Sequence, residues 1–183
     1  MSWGNTLSYA TFTVLNNMGF KNIFGYEVHQ LYADEGVEVV DGVFIGSLAT
    51  ALNKRWLYDN NIGAIVNLSN MRYPTDLPSY EIDMIDKDVT EFELQKYINA
   101  FMRGAHYIAA ARAKGLNVLV HCAAGVNRSA CTIGFYINGS YEMVMAALLK
   151  ANHKRGTTVL TNPSFRYILR AKCAFTYDNQ QLA

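Results

Sequence analysis

Cys122 and Arg128 bracket a short run, His121-Cys122-Ala123-Ala124-Gly125-Val126-Asn127-Arg128-Ser129, whose residue types and spacing suit attack by sulfur on phosphorus. A thiolate is a strong nucleophile, and a guanidinium is a planar fork that holds two phosphate oxygens at once. Ahead of the run, Val118-Leu119-Val120 reads as a buried strand, and an apolar helical stretch follows it. Strand, glycine-bearing loop and helix N-terminus together form a phosphate cradle, in which backbone N–H groups of Ala123, Ala124, Gly125, Val126 and Asn127 can converge on an anion. The same positive potential lowers a thiol pKa, to about 3.5–7.5 in favourable sites. Cysteine and arginine at this spacing are a weak signal alone. The preceding strand, His121, Gly125 and Ser129 make it specific, because a merely buried cysteine needs no such neighbours.

An oxygen leaving phosphorus must take up a proton, which calls for a carboxylic acid on a neighbouring loop. Asp83, Asp86 and Asp88 lie in the right region, and periodicity does not choose among them. The ordinary role of each is a solvated loop carboxylate or a helix cap.

Around this run the chain alternates strands with helices. Residues 5–18 form a helical pattern whose apolar residues spread over more than one face, and a short helical piece covers 26–33. Val37 to Val40, Asp41-Gly42 and Val43 to Ile45 read as a hairpin with a tight primed turn. A helix is expected over 49–60, strands at 64–68 and 80–85, and a proline-bearing loop over 71–79. A long helix over 91–114 carries acidic residues in its first turn and Lys114-Gly115 at its end, which suits the helix dipole. Helices over 129–137, 141–151 and 163–175 complete the pattern. The expected fold class is α/β: a single domain with a mostly parallel central sheet flanked by helices, the Cys122 loop lying at the carboxyl end of a strand.

At 183 residues, 51% hydrophobic and 17% charged, the chain reads as one globular domain with a full core. Its net charge of +1 implies no general field for polyanions. No apolar run reaches the roughly 18 residues that span a bilayer, and no basic region leads into an apolar one as in a secretory signal. Three widely spaced cysteines suit a reducing cytoplasm, with Cys131 and Cys173 as core residues rather than redox partners of Cys122. No histidine and cysteine cluster has metal-ligand spacing, so no metal or other cofactor is expected. The basic residues Lys150, His153, Lys154 and Arg155 read as a solvated helix end.

The run from His121 to Ser129 resembles the signature loop of cysteine-based protein phosphatases, with wording closest to the dual-specificity branch and, within it, to poxvirus-type enzymes. The resemblance extends from about Val37 to Ala174 and includes Val43-Phe44-Ile45-Gly46-Ser47, Ala64-Ile65-Val66-Asn67-Leu68-Ser69 and Asn162-Pro163-Ser164-Phe165. It implies a protein-tyrosine-phosphatase-like fold with a catalytic domain over 37–176; residues 1–36, outside the resemblance, read from their apolar spacing as an N-terminal helical segment. It implies hydrolysis of phosphotyrosine and phosphoserine or phosphothreonine through a phosphocysteine on Cys122. Arg128 binds the phosphoryl group, Ser129 supports thiolate departure and His121 steadies the loop. The stretch Asp88-Val89-Thr90-Glu91-Phe92 resembles the acid loop, which puts Asp88 on the general-acid position, with Asp86 the runner-up. Asn127 is a candidate brace between loops, and Asn162 a helix cap near the site.

Phosphorylated proteins are the implied partners, in the cytoplasm, or in a host cytoplasm or virion if the chain is viral. Residues 5–18 would pack on their own domain or, as in the poxvirus-type enzymes, join a homodimer. The loop carries no lysine to meet the extra phosphates of a phosphoinositide. Two further readings share the loop: an RNA 5′-triphosphatase, although a near-neutral chain offers no field to attract nucleic acid, and a non-catalytic phosphoprotein-binding module.

Overall fold

A computed structural model describes residues 35–181, with side chains described through residue 175. Five strands form one sheet: β1 (Val37–Val40), β2 (Val43–Gly46), β3 (Ile62–Asn67), β4 (Ser79–Glu81) and β5 (Asn117–His121), in the order β1-β2-β5-β3-β4. Only β1 runs antiparallel to its neighbour; β2, β5, β3 and β4 are mutually parallel. The helices are α1 (Leu48–Leu52), α2 (Lys54–Asp59), α3 (Leu94–Ala113), α4 (Arg128–Tyr136), α5 (Tyr141–Arg155) and α6 (Pro163–Gln181). A 3-10 turn, Glu91–Glu93, leads into α3. The α/β class and mostly parallel sheet are as expected. Residues 5–18 and 26–33, to which helices were assigned, lie outside the described residues.

The three central strands are buried on both faces, and their pleat sorts side chains into two cores. Val43, Val118 and Ala64 lie abreast, as do Ile45, Val120 and Val66; these six face α3, α4 and the aromatic residues Phe101 and Phe165. Phe44, Leu119 and Ile65 form the alternate row and pack with Trp56, Leu57 and Ile62 on the other face. Ile62 and Ala64 would share a face under strict alternation. A register irregularity between them moves Ile62 to the opposite core. Continuous apolar runs are what parallel strands covered on both sides require.

Four local expectations change. The helix over 49–60 is two helices, because Ser47 caps one with a capping box and the Asn53 side chain accepts from Trp56 N–H to start another. The hairpin turn is not primed: of Asp41 and Gly42 only Gly42 has positive φ, and its N–H is held by Glu38 Oε1 at 2.8 Å. The strand expected over 80–85 stops at Glu81. Beyond it the Asn70 side chain takes over the ladder's role, donating to Met84 O (2.7 Å) and accepting from Met84 N–H (2.9 Å). Finally, α5 runs four residues past the expected 151, to Arg155, where Gly156 closes it in a left-handed cap.

Candidate active site

β5 ends at His121, and α4 begins at Arg128, so the loop between them opens at the carboxyl end of the central strand. Gly125 adopts φ +70°, and its N–H donates to Cys122 Sγ at 3.3 Å. Ser129 lies in the first turn of α4, fully buried, with its hydroxyl 3.4 Å from the same sulfur. It is therefore not the helix cap; that position belongs to Asn127. Burial acts to raise the Cys122 pKa. Against it work the Arg128 charge, the Ser129 hydroxyl and the N–H groups of Ser129 and Val126, and together they hold the thiol below its ordinary value. Cys131 and Cys173 are also buried, and there burial pushes both thiols up.

Arg128 is fixed through one end of its fork. Nη1 donates to Leu68 O (2.7 Å) and Met84 O (3.2 Å), while Nε is buried with no hydrogen-bond partner among the described residues. A phosphoryl oxygen over the loop fits that donor. Among the described residues no group of three metal-binding side chains comes together.

His121 is fully buried, and its carbonyl accepts from Leu68 N–H at 2.8 Å. Desolvation holds its ring pKa at about 3, with the Arg128 charge acting in the same direction. The ring is therefore neutral. Nδ1 faces the Cys122 carbonyl at 3.4 Å, an acceptor, so Nδ1 carries the proton and Nε2 accepts from the Tyr73 hydroxyl at 2.7 Å. Tyr73 stands in the 71–79 loop, where no periodicity marks it. Between pH 6.5 and about 3 the unfolded chain protonates this histidine and the folded one does not, so stability falls as pH falls across that window. His121→Asn is expected to flatten that fall. Urea midpoints at pH 7 and pH 5 should lie closer together than in the parent protein; an unchanged gap would remove His121 from the acid response.

The aspartates separate clearly. Asp86 Oδ2 lies 4.0 Å from Arg128 Nε, and Asp86 Oδ1 accepts from Asn162 Nδ2 at 2.9 Å. Asn162 also donates to Lys87 O (2.9 Å) and accepts from Phe165 N–H (3.1 Å), so one side chain caps α6 and holds the acid segment. Asn127 Oδ1 accepts from Asn162 N–H (3.1 Å) and Thr161 Oγ1 (3.2 Å), which ties the Cys122 loop to the same turn. Ser164 Oγ accepts from Val89 N–H at 3.0 Å. Asp88 is exposed and makes no hydrogen bond or ion pair among the described residues, and Asp83 is exposed beside Arg72 at 3.9 Å. Arg155 departs from the solvated reading of its helix end: it reaches the Cys122 loop and donates to Gly125 O at 3.0 Å.

The dual specificity phosphatase catalytic-domain family model matches residues 43–173. The chain is 41% identical over 101 residues to MAP kinase phosphatase with leucine-rich repeats protein 1 of Dictyostelium discoideum, a match covering 54% of this chain and 11% of that protein. A mouse putative dual specificity phosphatase, crystallised with zinc tungstate, superposes with a TM-score of 0.68 at 19% identity, covering 80% of this chain and 91% of that one. The tyrosine phosphatase OH1 from the Orf virus has the same fold at a TM-score of 0.53 and 22% identity, covering 77% of this chain and 91% of its own. The matched span contains the whole arrangement from Tyr73 to Asn162, and the chain belongs to the dual-specificity phosphatases, a family of cysteine-based protein phosphatases.

Proposed function

We propose that the chain hydrolyses phosphotyrosine and phosphoserine or phosphothreonine in proteins through a phosphocysteine, as a member of the poxvirus-type branch. The observation that carries this reading is a sulfur held by Gly125 N–H and Ser129 Oγ, beside an arginine whose buried Nε has no hydrogen-bond acceptor among the described residues. In the first step the Cys122 thiolate attacks phosphorus, the S–P bond forms and the P–O bond breaks. The leaving oxygen takes its proton from a carboxylic acid. In the second step that carboxylate takes a proton from water, water oxygen bonds to phosphorus, and the thiolate leaves with Ser129 as its hydrogen-bond donor. Amide groups from Ala123 to Asn127 and the Arg128 fork hold the equatorial oxygens.

The resemblance puts the general acid on Asp88 with Asp86 as runner-up; on the geometry we assign it instead to Asp86, with Asp88 as the competing carboxylate. Support comes from the contact of Asp86 with Arg128 and from the Asn162 bond that aims it.

A turnover panel tests the proposal. Phosphotyrosine peptide is expected to react fastest, phosphothreonine peptide more slowly, and phosphoinositide and RNA triphosphate poorly, since the loop offers no lysine. Efficient removal of an RNA γ-phosphate with weak peptide activity would favour the RNA-processing alternative, and binding without any turnover would favour the phosphoprotein-binding module.

The proposal includes a homodimer through residues 5–18, supported by the spread of their apolar side chains over more than one face. Deleting residues 1–19 should lower the solution mass from dimer to monomer; an unchanged mass would end that role. All three cysteines are free, which suits the cytoplasm, or a host cytoplasm or virion, as the location assigned. No described helix is long and apolar enough to cross a membrane.

A further inference from the structure

We propose that Arg155 is a positioning residue that turns two peptide units of the phosphate loop so that their N–H groups face the Cys122 sulfur. Arg155 Nη1 donates to Gly125 O at 3.0 Å, and Nη2 to Ala124 O at 3.4 Å. Each carbonyl belongs to a planar trans unit whose N–H points the opposite way. The Ala124 carbonyl shares its unit with Gly125 N–H, which donates to Cys122 Sγ at 3.3 Å. The Gly125 carbonyl shares its unit with Val126 N–H, which acts with the Arg128 charge and Ser129 to hold the Cys122 thiol below its ordinary pKa. Holding both carbonyls outward therefore holds both donors inward, and a cation on the carbonyl oxygen polarises the N–H opposite it.

The guanidinium is itself aimed. Arg155 is the last residue of α5, and Nη1 also donates to Asn152 Oδ1 at 3.1 Å. Asn152 is buried, and it is fixed by its own bond to Leu148 O (3.0 Å) and by Thr157 Oγ1 (2.8 Å). On the opposite side the loop meets the end of β2. A Cβ on Gly125 would lie 2.6 Å from Gly46 O and 2.7 Å from Arg155 Nη1, so the peptide units are clamped between strand and guanidinium. Arg128 on α4, His121 on β5 and Asp86 on the acid segment are the other ionisable groups around the sulfur and its phosphate site.

The inference rests on the phosphatase reading of the loop, and its test separates the two. The probes are the pH midpoint of Cys122 alkylation and the inhibition constant of inorganic phosphate, measured on the full chain. Arg155→Met is expected to raise the midpoint by about one pH unit, a tenfold change. It should weaken phosphate binding about tenfold. Arg155→Lys should recover little of either, because an ammonium does not present two donors in one plane. The exposed Lys154→Met should match the parent protein. Parent-like values in Arg155→Met would overturn the proposal, as would full recovery in Arg155→Lys, which would show that charge alone suffices. If Arg155→Met does not fold, Arg155→Lys decides the matter alone in the same two directions. A parent protein whose own thiol titrates as an ordinary cysteine and ignores phosphate would overturn the phosphatase reading with it.

Discussion

Cys122→Ser is expected to lower turnover of every phosphorylated substrate by at least about 10⁴-fold while phosphate still binds. The hydroxyl occupies nearly the volume of the thiol in a site that is almost fully enclosed, so the fold has no reason to change. What changes is the nucleophile. Gly125 N–H, Val126 N–H, Ser129 and Arg128 together stabilise an anion at this position. They lower the pKa of a thiol and so raise its reactive fraction, whereas an alkyl hydroxyl starts so much higher that the same fields leave it protonated. Iodoacetamide should likewise inactivate the parent protein at one site, because Cys131 and Cys173 are buried with thiols pushed up rather than down. The measurement is kcat on phosphotyrosine peptide beside equilibrium binding of inorganic phosphate. A serine variant that keeps turnover within tenfold of the parent would rule out the phosphocysteine.

The candidate nucleophile, Cys122, was legible because its chemistry is contiguous. Strand, loop and helix N-terminus follow one another within twelve residues, from Asn117 to Arg128, and the strand's apolar run needs only local reading. The central strands were legible for the same reason, since Val43 to Ile45, Ala64 to Val66 and Val118 to Val120 are continuous apolar segments buried on both faces. Helix ends were less so: the break at Asn53 is decided by one side chain choosing to accept from Trp56 N–H.

Residues that act on the loop from elsewhere left no local trace. Tyr73 reaches His121 across 48 positions from a segment with no periodicity. Arg155 sits among Lys150, His153 and Lys154, so its charge pattern is that of any exposed helix end. Only the left-handed cap at Gly156 and the buried Asn152 turn it inward. Asn162 shows the intermediate case. Its capping of α6 was readable from Asn162-Pro163, but its grip on Asp86 spans 76 positions. That long-range bond also explains why Asp86 and Asp88 were not separable by spacing. The two residues differ in which element holds them, and the holder lies near the other end of the chain.

Asp86→Asn is therefore expected to lower kcat on phosphothreonine peptide by about 10²–10⁴-fold, with Asp88→Asn within a few-fold of the parent. The asparagine keeps the size of the carboxylic acid and a carbonyl oxygen that can still accept from Asn162 Nδ2, so the acid segment should stay in place. It carries no proton acidic enough to give to a departing oxygen. The loss must then depend on the leaving group. An alkyl oxygen, as in phosphothreonine, needs the proton most, a tyrosine oxygen less, and an activated aryl oxygen hardly at all. Asp86→Asn should accordingly widen the ratio of phosphotyrosine to phosphothreonine kcat/KM and nearly spare an activated aryl phosphate. Loss of loop position instead of loss of a proton would depress all three substrates alike. Asn162→Ala supplies that comparison, because it frees Asp86 and Lys87 while leaving the acid chemically intact. If Asp88→Asn shows the larger, leaving-group-dependent loss, the proton comes from the exposed carboxylate. The segment would then have to swing so that Asp88 replaces Asp86 beside Arg128 when substrate is bound.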